Sequence, residues 1–180
     1  VGETMHPVST EASRLRRSLE IGDRLVVGYS GNLGLAHDHE TILSAATVLR
    51  DDPDIVFLMV GGGAGMGKLK SGAQACGLDN LRFLPYQPRE QLADCLAAAA
   101  LHLVTQLPGV EGFVVPSKLY GVMAAGRPVI FVGDAAGEVA RTIRRAECGF
   151  TFANGDGPGL AAELQRLRND AALRARLGVK

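Results

Sequence analysis

Residues 111–130 read EGFVVPSKLYGVMAAGRPVI, and this stretch contains a complete passage from a loop into a helix and on to a strand. Pro116 and Ser117 stand directly before the helical run LYGVMAA, which is a helix-start signal, and the break GRP (126–128) ends that run before an apolar strand. The first turn of such a helix offers unpaired N–H groups and a positive dipole end to an anion. Lys118 adds a full positive charge there. The stretch therefore predicts a site of phosphate size at a strand-to-helix junction.

Apolar, β-branched runs alternate with alanine-rich helical stretches along the chain, which is typical of a parallel sheet with helices on both faces. The predicted fold class is therefore α/β, a doubly wound parallel sheet of about six strands. The predicted strands are Leu25–Tyr29, Ile55–Val60, Leu81–Leu84, Leu101–Val104, Val129–Val132 and Gly149–Phe152. The predicted helices are Glu40–Arg50, Met66–Cys76, Arg89–Ala99, Lys118–Ala125 and Glu138–Glu147, with one or two more between Gly159 and Leu177.

The composition indicates one compact domain without a bulk charge. The chain has 180 residues, of which 47% are hydrophobic, so it is long enough to bury a core of its own. Equal numbers of basic and acidic residues, 19 each, disfavour nucleic-acid binding. The three cysteines form no pairing pattern, which favours reduced thiols. No apolar run approaches the roughly 20 residues that a membrane span needs.

VGYSGNLGLAHDHETIL (27–43) and PSKLYGVMAAGRPVIFVGDAAGE (116–138) together resemble the C-terminal half of glycosyltransferase family 4, the group 1 enzymes. Within that family the two blocks are most similar to a bacterial branch that builds envelope and exopolysaccharide sugars. The resemblance runs from about Leu25 to Gly178. It implies the GT-B fold, in which two Rossmann-like domains face each other across a cleft and the C-terminal one binds the nucleotide-sugar donor.

The resemblance also implies a domain organisation. Residues 1–22 would be an interdomain linker with a short helix around Ser13–Leu19, and residues 23–180 the donor-binding domain. The N-terminal domain, which holds most of the acceptor site in the family, is absent from this chain. Because the chain begins with Val1 rather than Met, we expect it to be a piece of a longer protein.

The glycine-rich segment after the first strand is the first expected donor contact. Gly31 and Gly34 let the backbone approach a ligand closely in such a turn. Much of family 4 places a Gly-Arg pair here and a Lys about five residues later, whereas this chain has Asn32 and His37 at those positions. Asn carries no charge and His is only partly charged near neutral pH. The resemblance therefore implies a weaker phosphate site, for which Lys118 and then Arg127 are the compensating cations.

The resemblance implies further donor contacts at the start of the helix in the stretch 111–130 and in the turn after the third strand. Pro116, Ser117, Lys118 and Leu119 occupy the helix start, where the family binds the donor phosphates. Tyr86 follows the third strand, in the turn that commonly holds the nucleotide base in the family. In the helix that follows, Leu92 faces the place where a base or ribose would lie, but we expect it to be a core residue.

Glu111 is the expected catalytic residue. Family 4 enzymes carry an acidic pair around the donor sugar and its ribose, a Glu followed eight residues later by another Glu. Counting forward from Glu111 puts the second position on Leu119, and counting back from Met123 puts it on Gly121, so neither count supplies a carboxylate. We expect Glu111 to approach the sugar or its leaving oxygen, with a solvated loop carboxylate as the alternative.

No metal or cofactor is expected. The segment HDHE (37–40) enters a predicted helix, where residues two apart point in different directions, so Asp38 is better explained as a helix cap over Thr41. The glycine run at 61–68 has Leu69 where a P-loop needs a hydroxyl, so it is interpreted as a turn.

The function implied is transfer of a sugar from a UDP- or GDP-sugar to an acceptor hydroxyl, with retention at the anomeric carbon, in polysaccharide or glycolipid synthesis. The alternatives are a non-catalytic nucleotide-binding module and a nucleotide-sugar epimerase of the same architecture. The implied partners are the nucleotide-sugar donor and an N-terminal acceptor domain of the same polypeptide. The implied location is cytoplasmic, and peripheral attachment to the inner face of the plasma membrane through the missing domain is left open.

Overall fold

A computed structural model describes residues 9–110 and 117–178 of the chain. Its strands are β1 (Leu25–Asn32), β2 (Ile55–Gly62), β3 (Leu81–Leu84), β4 (Leu101–Thr105), β5 (Val129–Val132) and β6 (Gly149–Phe152). They form one six-stranded sheet in the order β3-β2-β1-β4-β5-β6, in which every neighbouring pair is parallel. The predicted α/β class and doubly wound parallel sheet are confirmed.

Eight α-helices are present in the described part of the chain. They are α1 (Arg14–Ser18), α2 (Glu40–Val48), α3 (Ala64–Ala75), α4 (Leu92–Ala97), α5 (Ser117–Ala124), α6 (Glu138–Ala146), α7 (Gly157–Asn169) and α8 (Ala171–Gly178). A 3-10 turn, Arg89–Gln91, leads into α4. The sequence predicted α1 to α6 with bounds that differ by a few residues, and of the one or two helices expected in the tail, two are present.

The helices are divided between the two faces of the sheet. Successive side chains of β1 point to opposite faces, so Val27 and Tyr29 pack with α2, α3, α7 and α8, whereas Val26 packs with α4. Helices α5 and α6 cover the same face as α4, over β4 and β5. The chain therefore leaves β1 toward one face and β4 toward the other. Adjacent strands whose connections diverge in this way open a crevice at their carboxyl ends, which is where open α/β sheets bind ligands.

Strands β1 and β2 are longer than predicted. Ser30, Gly31 and Asn32 were interpreted as part of a turn, but they continue the ladder and pair with residues 60–62 of β2. A Cβ on Gly61 would stand 2.0 Å from the carbonyl oxygen of Gly31, so this close pairing needs glycine. The run at 61–68 is likewise not a free turn, because it passes from the end of β2 directly into α3.

The residues before β1 form hydrogen bonds with Asp94 of α4. The backbone N–H groups of Arg14 and Leu15 donate to the two carboxylate oxygens of Asp94, at 2.7 and 2.9 Å, and the Ser13 hydroxyl donates to the Asp94 carbonyl. These bonds satisfy N–H groups at the start of α1 that have no partner within the helix. The short helix predicted around Ser13–Leu19 is present, and it lies against the same face as α4.

Candidate functional site

A pocket of about 290 Å³ lies at the carboxyl edge of the sheet, beside the crevice between β1 and β4. Helices α4 and α5 form its walls and the loop after β3 forms its rim. It is lined by Ser30, Gly31, Val60, Tyr86, Gln87, Arg89, Leu92, Cys95, Leu96, His102, Leu103, Ser117, Lys118, Gly121 and Val122. The described lining residues include two cations and no carboxylate.

Lys118 is the cation that is fixed in place. Its Nζ lies 5.6 Å from the centre of the Tyr29 ring, a cation–π arrangement, and its Cε packs over Gly31, where a Cβ would be 2.8 Å away. Burial lowers its pKa from the ordinary value. Lys118 forms no ion pair with any residue in 9–110 or 117–178. A half-buried ammonium group without a carboxylate partner, beside the first turn of α5, is suited to an anionic ligand.

His37 lies behind Tyr29 rather than in the pocket lining. It is 7% exposed, and its ring meets the Tyr29 ring edge-on, with 6.4 Å between the centroids. Its Nδ1–H donates to the Thr105 carbonyl at 2.6 Å. Burial lowers the pKa of His37, the bond to Thr105 opposes that effect, and the charge of Lys118 lowers it further. The imidazole is therefore neutral near pH 7 and adds no charge to the site.

Asn32 and Gly34 lie at the edge beside the pocket. Asn32 is exposed, and its carbonyl accepts a 2.8 Å hydrogen bond from the buried Tyr29 hydroxyl. Its side chain lies between the Cα atoms of Gly34 and Gly63, close enough that a Cβ on either glycine would touch it. Tyr29 thus holds both the ammonium group of Lys118 and the backbone of the glycine-rich segment.

The loop after β3 supplies an aromatic rim. Tyr86 is 60% exposed, and its ring passes the end of β2, where a Cβ on Gly62 would be 3.0 Å from it. Leu92 was predicted to be a core residue, but it is 37% exposed and lines the pocket opposite this rim. Its position at the first turn of α4 leaves it above the sheet edge. An apolar slot between an aromatic ring and a leucine suits a planar ring system.

The expected contacts on α5 divide into two groups. Ser117 and Lys118 line the pocket, whereas the side chain of Leu119 is 2% exposed and packs in the core against β4 and β5. Leu119 therefore offers a ligand only its backbone. Of the two positions counted for the missing second carboxylate, Gly121 lines the pocket, with open space where a Cβ would stand. Glu111 and Pro116 lie outside the described residues.

Cys95 and His102 are two of the pocket residues that were not expected from the sequence. Cys95 is buried, its Sγ lies 3.8 Å from the Ser30 hydroxyl oxygen, and burial raises the pKa of its thiol. His102 is fully enclosed, its Nε2–H donates to the Leu96 carbonyl at 2.9 Å, and burial lowers its pKa to about 4. The spacing of Leu92, Cys95 and Leu96, which places them on one helical face, is the signal that could have found this wall.

Arg127 does not serve as the second cation of this site. It precedes β5, so it lies at the amino edge of the sheet, and its Nη1 donates to the Thr10 hydroxyl at 2.9 Å. Strand β5 separates it from the carboxyl edge. The second cation that lines the pocket is Arg89, which is exposed at the rim.

The Asp38 side chain caps α2 over Thr41, as predicted, although the N-cap position itself is occupied by His39. Its Oδ1 accepts a 2.9 Å hydrogen bond from the backbone N–H of Thr41, in the first turn of α2. In the described ranges, no group of three or more His, Cys, Asp or Glu side chains is arranged to hold a metal ion. None of the helices seen there combines the length and the apolar character of a membrane span.

One curated relative is WcaI of Escherichia coli (strain K12), which is named as a glycosyl transferase of colanic acid biosynthesis. It is 33% identical over 142 residues, which are 78% of this chain. The chain spans only about a third of that relative, 35% of its length.

Solved structures of similar fold include the C-terminal domain of the group 1 glycosyl transferase LpcC from Francisella tularensis. It has a TM-score of 0.75 at 21% identity, and the match covers 97% of this chain and 90% of that one. Anabaena Alr3699/HepE in complex with UDP-glucose also has a TM-score of 0.75, at 20% identity, over 97% of this chain and 48% of its own. At these identities the likeness shows the fold, that of the Rossmann-like C-terminal domains of GT-B enzymes.

The family is shown by a match that spans nearly the whole chain. Residues 11–180 match the family described as Glycosyl transferases group 1. The match includes every strand of the sheet and both helices that wall the pocket. The chain therefore belongs to the group 1 glycosyl transferases.

Proposed function

We propose that this chain is the donor-binding half of a family 4 glycosyltransferase that takes a sugar from a UDP- or GDP-sugar for polysaccharide or glycolipid synthesis. The observation that carries the proposal is Lys118. It is half-buried at the start of α5, held over the Tyr29 ring, and lines a pocket whose described residues include no carboxylate. Such a position favours the diphosphate of a nucleotide sugar over a neutral or cationic ligand.

The pocket suggests how the donor is oriented. The apolar slot between Tyr86 and Leu92 would receive the base, and the first turn of α5 with Lys118 would receive the diphosphate. The backbone of Gly31 lies beside Lys118, where only a residue without a side chain leaves room. HepE, whose fold is similar, is a protein that binds UDP-glucose, which supports a uridine nucleotide as the first choice.

The chemistry proposed is stabilisation of the leaving diphosphate. Negative charge grows on that group as the bond to the sugar breaks, and the α5 dipole, backbone N–H groups and Lys118 would offset it. We propose retention at the anomeric carbon, no requirement for a metal ion, and a role for Glu111 beside the sugar, all from the resemblance of the sequence. The stereochemistry is tested by following the anomeric proton of the product with the full-length enzyme.

One observation favours a second candidate, a nucleotide-binding module without transferase activity. Gly121 faces the pocket where the family would carry its ribose-binding carboxylate, and it leaves open space there. Both candidate functions require nucleotide binding, but only the first requires sugar transfer. Sugar transfer by the full-length protein would support the enzyme, and nucleotide binding without transfer would support the module.

The partners and the location are part of the same proposal. The chain spans 35% of the length of WcaI, which is consistent with an N-terminal acceptor domain in the same polypeptide. The cysteines at 76, 95 and 148 are free, which fits a reducing cytoplasm. Fractionation of cells that express the full-length protein would show whether it is cytosolic or attached to the inner membrane.

The test of donor binding is calorimetric titration of the chain with UDP, GDP and ADP. We expect one of them to bind selectively, and Lys118→Ala to weaken that binding by about tenfold to a hundredfold, because a charge-assisted contact is lost. Lys68→Ala is the matched control, since Lys68 is exposed on α3 and does not line the pocket. Equal binding by wild type and Lys118→Ala would refute the assignment of the diphosphate to Lys118.

A further inference from the structure

Five arginine side chains line one cleft at the amino edge of the sheet, opposite the pocket beside Lys118. They come from five separate segments, and all five are half-buried. The cleft has a volume of about 410 Å³. We call it the arginine cleft, and its arginines are Arg16 of α1, Arg24 before β1, Arg127 before β5, Arg168 of α7 and Arg174 of α8.

The arginine cleft has an excess of positive charge. Two carboxylates also line it, those of Glu11 and Asp23, and both residues are exposed. Among the described lining residues, five arginines and two carboxylates leave a formal excess of three positive charges. Arg168 bonds to Asp52 at 2.8 Å, outside the cleft lining. With Arg168 assigned to that ion pair and Arg127 left out of the count, Arg16, Arg24 and Arg174 still outnumber the two carboxylates by one.

Three of the arginines are anchored by neutral groups. Nη2 of Arg16 donates to the Gly22 and Arg24 carbonyls at 2.6 and 2.8 Å, and Nε of Arg24 donates to the Ile21 carbonyl at 2.7 Å. Nη1 of Arg174 donates to two carbonyls at the C-terminal end of α7. These bonds orient the guanidinium groups without neutralising them. Arg16, Arg24 and Arg174 form no ion pair with any residue that the structure describes.

The anchored arginines retain unused hydrogen-bond donors. Each guanidinium group has five N–H bonds. Within the described ranges, no hydrogen bond is formed by Nε of Arg16, Nη1 of Arg24, or Nε and Nη2 of Arg174. Burial lowers the pKa of Arg16 and of Arg174, although the carboxylates of Glu11 and Asp23 oppose this effect at Arg16 and that of Asp170 opposes it at Arg174. A bound anion would offset the cost of burying these two charged groups.

The residues that line the arginine cleft indicate which kind of anion it would bind. Guanidinium groups match the oxygen geometry of a phosphate and bond it in a bidentate manner. None of the described lining residues is aromatic, so the cleft has no surface on which a nucleobase would stack. We infer that the arginine cleft binds a phosphate group, on a small soluble ester or on a lipid headgroup, independently of the donor pocket.

The experiment uses inorganic pyrophosphate as the soluble probe and the Lys118→Ala chain as the protein, in which we expect the donor pocket to bind phosphate groups more weakly. Calorimetry should detect one bound pyrophosphate per chain. Adding Arg174→Gln or Arg24→Gln should weaken binding by about tenfold or more. Adding Arg145→Gln, an exposed arginine on α6 outside the cleft, should leave it unchanged. Thermal unfolding of each variant shows that it is folded.

A second arm distinguishes the two sources of phosphate. The same proteins are sedimented with phosphatidylcholine vesicles that contain or lack phosphatidylglycerol. Sedimentation that needs phosphatidylglycerol and is lost in Arg174→Gln would assign a lipid headgroup, and pyrophosphate binding without sedimentation would assign a soluble ester. Absence of binding in both arms, or binding that neither Arg174→Gln nor Arg24→Gln weakens, would overturn the inference. The result does not depend on whether the chain binds a nucleotide sugar.

Discussion

Gly31 combines two constraints that a side chain would violate. Its φ is +126°, a conformation that L-residues rarely adopt, and a Cβ would stand 2.8 Å from Cε of Lys118. We expect Gly31→Ala to lower the free energy of unfolding by about 1–3 kcal/mol and to weaken nucleotide binding, because Lys118 must move. Urea denaturation and calorimetry measure the two effects.

Gly67→Ala is the matched control for Gly31. Gly67 lies inside α3, and nothing lies within 4 Å of the position its Cβ would take. Alanine there should raise the free energy of unfolding by about 0.5–1 kcal/mol and leave binding unchanged. If Gly31→Ala behaves in the same way as Gly67→Ala, the close approach of Lys118 does not constrain this position.

His102 should make stability depend on pH. Its pKa falls from the ordinary 6.5 to about 4 in the folded chain, mainly because it is buried. The unfolded chain therefore binds the proton more readily, so the His102 contribution is complete above pH 6.5 and is lost as the pH falls toward 4. The slope of this contribution is about 1.4 kcal/mol per pH unit. His37, whose pKa is also lowered, adds a loss of the same sign.

The variant that isolates this effect is His102→Gln, whose amide keeps a donor for the Leu96 carbonyl. Above pH 6.5 its free energy of unfolding should differ from that of wild type by an amount that does not change with pH and that reflects the change in side-chain shape. Between pH 6.5 and pH 4 its unfolding free energy, measured in urea, should fall less steeply than that of wild type. Parallel curves for the two proteins over this range would contradict the assignment to His102.

At the scale of secondary-structure elements, the carboxyl edge is held by a polar network that joins α2 to the loop before α7. Oδ2 of Asp38 accepts hydrogen bonds from the Thr41 hydroxyl at 2.6 Å and from Nδ2 of Asn154 at 2.7 Å. Asn154 also donates to the Gln106 carbonyl, and the N–H of Gly155 donates to the Thr41 hydroxyl. The buried carboxylate of Asp38 therefore joins α2 to the loop before α7, and Asn154 joins that loop to the segment after β4.

A double-mutant cycle tests that network. Asp38→Ala and Asn154→Ala each remove one partner of a partly buried hydrogen bond, so we expect their effects on the free energy of unfolding to be coupled by about 1–2 kcal/mol. Asp170 caps α8, through a 2.8 Å bond from the N–H of Leu173 at the opposite edge of the sheet, and provides the control. Asp38→Ala combined with Asp170→Ala should be additive to within about 0.5 kcal/mol. Additivity in the Asp38–Asn154 pair would contradict the network.

The elements themselves were predictable because each carries a clear local pattern. Continuous apolar runs such as Ile55–Val60 indicated buried strands, and the alanine-rich stretches between them indicated the helices. The strand ends at residues 30–32 and 61–62 were missed because glycine usually weakens a strand. Here the facing pair Gly31 and Gly61 continues the ladder by close backbone contact, which depends on the partner strand and not on local sequence.

At the scale of the whole molecule, the candidate site was only partly predictable, because residues distant in sequence assemble it. The block around Lys118 carries a local helix-start signal, and the structure places that helix beside the pocket. The side chain of Leu92 lines the pocket and that of Leu119 lies in the core. Neither position follows from local sequence, since the rotation of a helix about its axis is set by packing. Arg127 lies at the opposite edge because a residue that precedes a parallel strand cannot reach its carboxyl end.

The donor pocket lies in this chain and the expected acceptor site lies on another domain, which leads to a prediction about activity. The donor pocket is walled by α4, α5 and the loop after β3, all within this chain, whereas the family resemblance places most of the acceptor site on another domain. The 180-residue chain should therefore bind its nucleotide without transferring sugar. Incubation with radiolabelled UDP-glucose and GDP-mannose, followed by product separation, measures transfer, and the full-length protein is the positive control. Labelled product from the chain alone would contradict this prediction, because it would mean that the chain binds the acceptor as well as the donor.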